Sequence, residues 1–296
     1  MKMVKKAFSL IELSIVLLII GIIIAGVTSS SRLVSAMRVS VAQSITKSSP
    51  VSSINGLTAW YDAVSEESFL SAEQEDGATV SVWNDINPQT TSKINLPQST
   101  ADSRPIYKQS DINHLPSLLF DGADDSFRLE NKMLSDFVNV DGVTIFMVHK
   151  PITDPDGNGY GVPFIIAVDG NNPRVALSTY YFDNVYFDFG MCCTGNETRA
   201  AQSYNSSLTN NLQIITYFVK NGKATLKFNG TAFFDAVDMT GTIAPEDYAA
   251  TNTVFRFGEV SGYIGEFIIF RRGLRNQEIR DVEDYLSKKW GQPVAH

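Results

Sequence analysis

Reactive side chains are scarce in this chain. Its 296 residues include three histidines and two cysteines. His114, His149 and His296 lie far apart, and no Gly-x-Ser-x-Gly nucleophile elbow occurs. The common hydrolytic constellations are missing, so the chain reads as a non-enzyme with no catalytic residues. The two cysteines are neighbours, Cys192 and Cys193. Adjacent cysteines bond to each other only in a strained ring. A vicinal disulfide that shapes a loop, a pair of thiols and an intermolecular bridge are the alternatives, with the first favoured. Two adjacent thiols with no histidine nearby make a poor zinc site.

Positive charge is also short, with 24 Lys and Arg against 32 Asp and Glu for a net charge of −8. The split is uneven. Residues 1–50 hold six basic residues and one acid, which leaves 18 basic against 31 acidic and a net of −13 for the rest. A region that acidic repels phosphate backbones, whereas nucleic-acid binders present basic faces. Nucleic acid is excluded as a partner unless Arg271, Arg272 and Arg275 form a dominant patch.

What the chain does have is one long uncharged stretch. Lys2, Lys5 and Lys6 precede Ala7-Phe8-Ser9-Leu10-Ile11-Glu12, and residues 13–27 then carry no charge. With Phe8 to Ile11 included, the run reaches the ~20 residues a membrane-crossing helix needs. The leading lysines keep the N-terminus cytoplasmic and send the rest outward. A secretory signal peptide places its small-residue cleavage site after the apolar run, but here the small residue, Ala7, comes before it. A carboxylate at the edge of a hydrocarbon-length helix is costly and calls for a partner, which singles out Glu12. Further on, Leu33, Val34, Met37 and Val41 recur at near-helical spacing. Residues 46–55 are polar, contain Pro50, and read as a helix stop and linker.

These residues resemble the leader of type IV pilins and type II secretion pseudopilins. The resemblance implies cleavage by a prepilin peptidase between Ala7 and Phe8, followed by N-methylation of Phe8. Glu12 then meets the Phe8 amine of a neighbouring subunit, where each charge neutralises the other in an apolar bundle. Members of the family usually have Gly before the cut, where this chain has Ala7. The implied precursor is a single-pass protein of the bacterial inner membrane, found at the pilus or cell surface after assembly with other pilin or pseudopilin subunits. The chain would divide into a leader (1–7), an N-terminal helix (8–47, membrane-embedded to about 28), a linker (48–55) and an exported domain (56–296). An oxidising exported face is compatible with a disulfide at Cys192 and Cys193.

From Gly56 onward, runs rich in β-branched and aromatic residues recur between turn signals. Strands are expected at 57–61, 80–85, 117–120, 143–149, 164–168, 175–182, 185–189, 213–220, 223–229, 254–258 and 263–271. Asn221-Gly222 suits a type I′ hairpin turn. The chain closes with a helix over Gln277–Trp290, capped by Asn276. Its apolar stripe is Ile279, Val282, Tyr285 and Leu286. Glu278, Asp281 and Glu283 sit toward its start and Lys288 and Lys289 toward its end, matching the helix dipole. Gly291 and Pro293 stop it. Trp60, Trp83 and Trp290 are expected inside.

Gly56-Leu57-Thr58-Ala59-Trp60-Tyr61-Asp62-Ala63, Val82-Trp83-Asn84-Asp85, Arg104-Pro105 and Leu119-Phe120-Asp121-Gly122 resemble the opening of a concanavalin A-like, laminin-G-like jelly roll. Gly265-Glu266-Phe267-Ile268-Ile269-Phe270, Arg272-Gly273-Leu274 and the final helix through Lys289-Trp290-Gly291 resemble its close. The implied fold class is α+β: a long N-terminal membrane helix, then a mainly antiparallel β-sandwich with a C-terminal helix. The glucanase branch of that family groups its acids as Glu-x-Asp-x-x-Glu. Glu266 has no acid at those spacings.

Asp154-Pro155-Asp156-Gly157-Asn158-Gly159 resembles the opening of a calcium loop, with Asp154, Asp156 and Asn158 as ligands. The place of the closing bidentate Glu is Ile165, and the same string is ordinary turn chemistry. No other cofactor is indicated. Asp121, Asp124 and Asp125 read as a turn before a cation site. Tyr180, Tyr181, Phe182, Tyr186 and Phe187 could stack on a sugar, but alternation sends half of such a run into the core. The combined expectation is a type IV pilin-like minor or tip subunit whose head binds a surface glycan or protein. A type II secretion pseudopilin and a membrane-tethered glycan-active enzyme are the alternatives.

Overall fold

The computed structural model describes residues 10–139, 141–152, 161–169, 172–181, 184–191, 199–203, 210–239, 243 and 246–296. Of Leu10, Glu12, residues 23–32, Tyr180 and Tyr181 only the backbone is described. Helix α1 spans Leu10–Lys47 without a break. The described strands are β1 (Leu57–Asp62), β2 (Val82–Trp83), β3 (Leu96–Pro97), β4 (Ile106–Ile112), β5 (Leu115–Asp121), β6 (Phe127–Lys132), β7 (Gly142–Pro151) and β8 (Val162–Val168). They continue with β9 (Arg174–Tyr181), β10 (Asn184–Gly190), β11 (Arg199–Ser203), β12 (Gln213–Lys220), β13 (Lys223–Phe228), β14 (Thr231–Asp238), β15 (Thr253–Glu259) and β16 (Ser261–Phe270). Helix α2 (Asn276–Trp290) follows.

Two antiparallel sheets face each other. The larger runs β14-β13-β12-β7-β16-β5-β4, and β1 also pairs with β16. β5 pairs with the first part of β16, at Ser261–Ile264, and β1 with the second, at Glu266–Phe270. The smaller sheet runs β11-β10-β9-β8-β15-β6. Alternation along each strand sends one set of side chains inward. Phe120, Phe127, Phe164, Phe187, Tyr217, Phe255, Phe257 and Phe267 fill the space between the sheets, together with Trp83.

A second core lies on the other face of the larger sheet. Ile279, Val282, Tyr285, Leu286 and Trp290 of α2 meet Trp60, Phe146, Val148, Ile214, Ile268 and Phe270 there. Burying each of the larger apolar side chains is worth about 1.5–3 kcal/mol, and so the expected stripe of α2 is what fixes it in place. Ala42 near the end of α1 joins the same cluster, as do Val51 and Ile54. Residues 48–55 are also tied down by Gln89 Nε2, which donates to Ser52 O at 2.9 Å and Ile54 O at 2.8 Å, and by Arg272 Nε, which donates to Asn55 O at 2.8 Å. The molecule is therefore layered as helices, larger sheet, smaller sheet.

Several details differ from expectation. α2 begins at Asn276, and its N-cap position is Arg275, whose backbone N–H donates to Glu278 Oε2 at 2.8 Å. Asn276 is therefore not the cap; the carboxylate of Glu278 supplies the reciprocal half of a capping box. The expected strand over 80–85 is reduced to Val82–Trp83, while β3, β4, β6, β11 and β14 arise where none was expected. Among the described residues no helix is long and apolar enough to cross a membrane. The span expected from the sequence runs from Phe8 to Val27, and part of it lies outside the described side chains. Asn221 and Gly222 have φ of 53° and 70° in the turn between β12 and β13, as a type I′ hairpin requires.

Gly265 lies at a register shift in β16, directly under the Trp290 ring. An added Cβ would sit 2.4 Å from Trp290 Cη2. Gly265→Ala is expected to destabilise the head by about 1–3 kcal/mol, the usual cost of overpacking. A lowered urea midpoint of the full chain in detergent would register this. Gly21→Ala, which meets nothing within 4 Å, should leave the midpoint unchanged.

Candidate functional site

The most unusual chemistry of the head sits where its two ends and α1 converge. Asp62, the last residue of β1, is paired directly across the ladder with Glu266 of β16. Two carboxylates placed opposite each other in a sheet repel, and here both are fully buried. Lys289 of α2 lies between them. Its Nζ donates to Asp62 Oδ1 at 2.7 Å, to Glu266 Oε2 at 2.8 Å and to Tyr285 Oη at 3.2 Å. All three ammonium protons thus have an acceptor.

Glu266 is saturated as well. Its Oε1 accepts from Trp60 Nε1 at 2.8 Å and Tyr285 OH at 2.6 Å, and its Oε2 from Lys289 and from Trp290 Nε1 at 2.8 Å. Four donors fill the four lone-pair positions of a carboxylate. Asp62 Oδ1 also accepts from the Val64 N–H at 3.0 Å, and Thr46 Oγ1 of α1 lies 2.9 Å from Asp62 Oδ2 and 3.4 Å from Tyr285 Oη. Burial pushes the Glu266 carboxyl above its ordinary range, against the pull of Lys289. The Tyr285 phenol is raised by burial and then by the Glu266 charge.

Sequence reasoning set Glu266 aside because no acid stood at a nearby spacing; its acidic partner comes from the opposite end of the domain through strand pairing. Lys289 and Glu283, expected to complement the helix dipole, are in addition buried. Glu283 Oε1 accepts from Thr216 Oγ1 at 2.7 Å and lies 3.6 Å from Lys227 Nζ. Two arginines of the basic patch around residue 271 share one carboxylate, that of Glu278. Arg272 makes two hydrogen bonds to Glu278, at 3.0 and 2.8 Å, and Arg275 adds a third at 3.1 Å. The Arg272 contacts hold the Glu278 carboxyl down to about 2.

Other expected sites fall out as follows. Asp121 Oδ1 accepts from the N–H groups of Ala123, Asp124 and Asp125, which is turn chemistry. Burial, with the Asp121 charge, pushes Asp125 up to about 7. Phe187 is in the core, whereas Tyr186 lies on the outer face of the smaller sheet under the Arg199 guanidinium, 4.5 Å from its ring centre. Arg199 and Arg174 both grip the buried Asp188 there, at 2.6 Å each. Among the described residues no group of three or more His, Cys, Asp or Glu side chains is placed to hold a metal ion. Ala7, Phe8, Asp154, Asp156, Asn158, Phe182, Cys192 and Cys193 lie outside the described residues, as do the side chains of Glu12, Tyr180 and Tyr181.

A family profile for the prokaryotic N-terminal methylation motif matches residues 2–28. The chain carries a prepilin-type methylation motif. Comparison with curated protein sequences gave no match. Among solved structures, the binding domain of Paraclostridial mosquitocidal protein 1 is similar at 15% identity and a TM-score of 0.52, over 81% of this chain and 56% of that one. The binding domain of botulinum neurotoxin serotype D matches at 14% and 0.50, over 83% and 56%. Domain 4 of AbnA, an extracellular arabinanase from Geobacillus stearothermophilus, solved with arabinotriose, matches at 17% and 0.45, over 77% and 98%. The chain thus spans just over half of each toxin binding domain. The two toxin likenesses establish the fold alone: a β-sandwich of the jelly-roll kind.

Two measurements test the electrostatics. Lys289→Met leaves two carboxylates facing each other in a dry interior. Breaking such a buried pair costs about 3–5 kcal/mol, read as a fall in the unfolding midpoint, whereas Lys223→Met at the exposed pair with Asp238 should change it by under ~1 kcal/mol. The second concerns His149, which is buried, has an Nε2 without a hydrogen-bond partner and is held neutral by burial down to about 3. Between its ordinary ~6.5 and that value the unfolded chain binds a proton that the folded chain refuses, so its contribution to stability falls as pH drops. Asp125, raised from 3.8 to about 7, acts in the opposite sense over much of the same range. The difference in stability between wild type and His149→Leu isolates the histidine, and it should slope with pH between about 6.5 and 3 and be flat above.

Proposed function

We propose that this protein is a type IV pilin-like minor or tip subunit, anchored by α1 and presenting its β-sandwich as a binding head. The observation that carries this reading is the methylation motif at residues 2–28 running straight into a 38-residue helix. That helix has two kinds of face beyond residue 32. Ala42 and Thr46 are buried against the head, and Gln43 Nε2 donates to Val64 O at 3.0 Å. Leu33, Val34, Met37 and Val41 remain exposed, by 49–63%. An apolar stripe turned away from its own head suits packing against the helices of neighbouring subunits, as a filament core requires. Before assembly the segment up to about residue 28 would lie in the inner membrane.

The layering supports a head that faces outward. α1 and α2 occupy one side of the larger sheet, and the smaller sheet lies on the far side with Tyr186, Arg174 and Arg199 on its outer face. A binder is favoured over a glycan hydrolase because the facing acid pair, Asp62 and Glu266, is sealed from solvent and committed to Lys289. Retaining glycosidases need two carboxyl groups that flank a substrate. The similarity to toxin binding domains is consistent with a glycan or protein ligand without naming it.

Mass spectrometry of the mature protein should find an N-methylated Phe8 at its start. Glu12→Ala should be processed normally yet enter filaments far less than wild type, as measured by immunoblotting of sheared pili. An intact Met1, or unchanged incorporation of the variant, would refute the reading. Detection in periplasmic fractions but never in sheared surface filaments would favour the pseudopilin alternative.

A further inference from the structure

Lys289, Asp62 and Glu266 form a buried amine and two carboxyl groups in contact, walled by Trp60, Tyr285 and Trp290. We infer that the Lys289 Nζ and the Asp62 side-chain carbonyl are joined by an intramolecular amide bond in the mature protein, with Glu266 as the proton-transferring catalytic residue. This goes beyond the filament reading and stands or falls independently of it.

The geometry places every group the reaction needs. Nζ is 2.7 Å from Asp62 Oδ1, the oxygen bonded to the carbon it would attack, and both side chains are sealed from solvent. Holding reactants in such contact can supply an effective concentration of up to roughly 10⁵–10⁸ M, which lowers the barrier to condensation. A proton passes from the Lys289 ammonium to Glu266, 2.8 Å away. Burial favours the protonated form of that carboxyl, and the neutral amine can then attack. Negative charge developing on Oδ1 meets the Val64 N–H at 3.0 Å, in the manner of an oxyanion donor.

A line of hydroxyl groups leads from Glu266 to the leaving oxygen. Glu266 Oε1 is 2.6 Å from Tyr285 Oη, Tyr285 Oη is 3.4 Å from Thr46 Oγ1, and Thr46 Oγ1 is 2.9 Å from Asp62 Oδ2. The Tyr285 hydroxyl donates to Glu266 at rest; once it turns toward Thr46, a proton held by Glu266 can pass along the line, and two of the three ammonium protons reach Oδ2 in this way, so that it departs as water. The N–C bond forms, the C–Oδ2 bond breaks, one proton stays on the amide nitrogen and Glu266 ends as it began. No oxidant, metal or co-substrate enters the balance. Thr46 belongs to α1, so the relay is complete only when the helix is docked on the head. Asp62 ends the first strand of the head and Lys289 nearly ends its last helix, so the bond would close the domain end to end.

The test is a tryptic digest of the full-length protein purified from its native membrane or filaments. The expected product is a branched peptide joining residues 48–93 to 289–296, lighter than the sum of its parts by one water, because an acylated Lys289 is no longer a cleavage site. A linear 48–93 peptide together with free 290–296 would overturn the proposal. This readout uses the wild type and needs no variant to fold. Glu266→Gln is expected to abolish the branched peptide while Asp62→Asn retains it with loss of ammonia in place of water. A branched peptide persisting in Glu266→Gln would overturn the role given to Glu266.

Discussion

Asp62 and Glu266 face each other across a β-ladder in a dry interior, and that constraint organises the rest of the head. The two carboxylates are not tolerable there together without a cation, and the cation comes from an element lying across the ladder. Lys289 meets that need, and its position fixes the rotation and height of α2 on the sheet. Trp290 follows from this: with Lys289 pointing down, the next side chain lies over β16, where only a glycine at 265 leaves room for its ring. Trp60 and Tyr285 then supply the donors that a buried carboxylate must have. A cluster of this kind is not an efficient source of stability, since an apolar replacement of similar volume can do as well. What it supplies here is a single permitted arrangement of β1, β16, α2 and the end of α1.

The same larger sheet must be covered on both faces, and the two coverings differ in kind. The smaller sheet covers one face with a deep aromatic core, built by alternation along paired strands. Two helices and the segment 48–55 cover the other, with α2 held by an apolar stripe and α1 by only its last turns. α1 is thus joined to the head over a short length and projects beyond it, with apolar side chains on its outward face. The helix that carries the methylation motif is joined to the sandwich through Thr46 and Gln43, although little of it is buried there.

Much of this was legible in the residues. The leader, the stripe of α2, the Asn221-Gly222 turn and the burial of Trp60, Trp83 and Trp290 rest on local patterns, and local patterns survive folding. The ion cluster was not legible, because strand pairing brings Asp62 and Glu266 together from opposite ends of the domain and no periodicity reports such a pairing. The role of Lys289 was missed for a related reason: a lysine in the last turn of a helix satisfies the dipole rule whether exposed or buried. β6 (Phe-Arg-Leu-Glu-Asn-Lys) is an edge strand with polar residues along much of its length, and β14 (Thr-Ala-Phe-Phe-Asp-Ala-Val-Asp) is an edge strand whose side chains are mostly exposed, without a clean alternation. Edges are kept polar to prevent pairing with other chains, which weakens the hydrophobic signal by which strands are recognised.

The position of the cluster also bears on how a head of this kind could carry load. Force applied along α1 would enter the head through residues 48–56 and then β1, which shares its ladder with β16 near the middle of the larger sheet. Asp62 ends β1, so whatever holds Asp62 resists the peeling of β1 from β16 at its far end. Hydrogen bonds along the ladder yield one at a time when a strand is peeled, whereas Lys289 ties that end simultaneously to β16 and to α2. The segment 48–55 is itself pinned by Gln89 and Arg272, so slack ahead of β1 is small. The end of α1 and the end of β1 are thus tied on either side of this segment, because Thr46 Oγ1 donates to the same Asp62 that Lys289 holds.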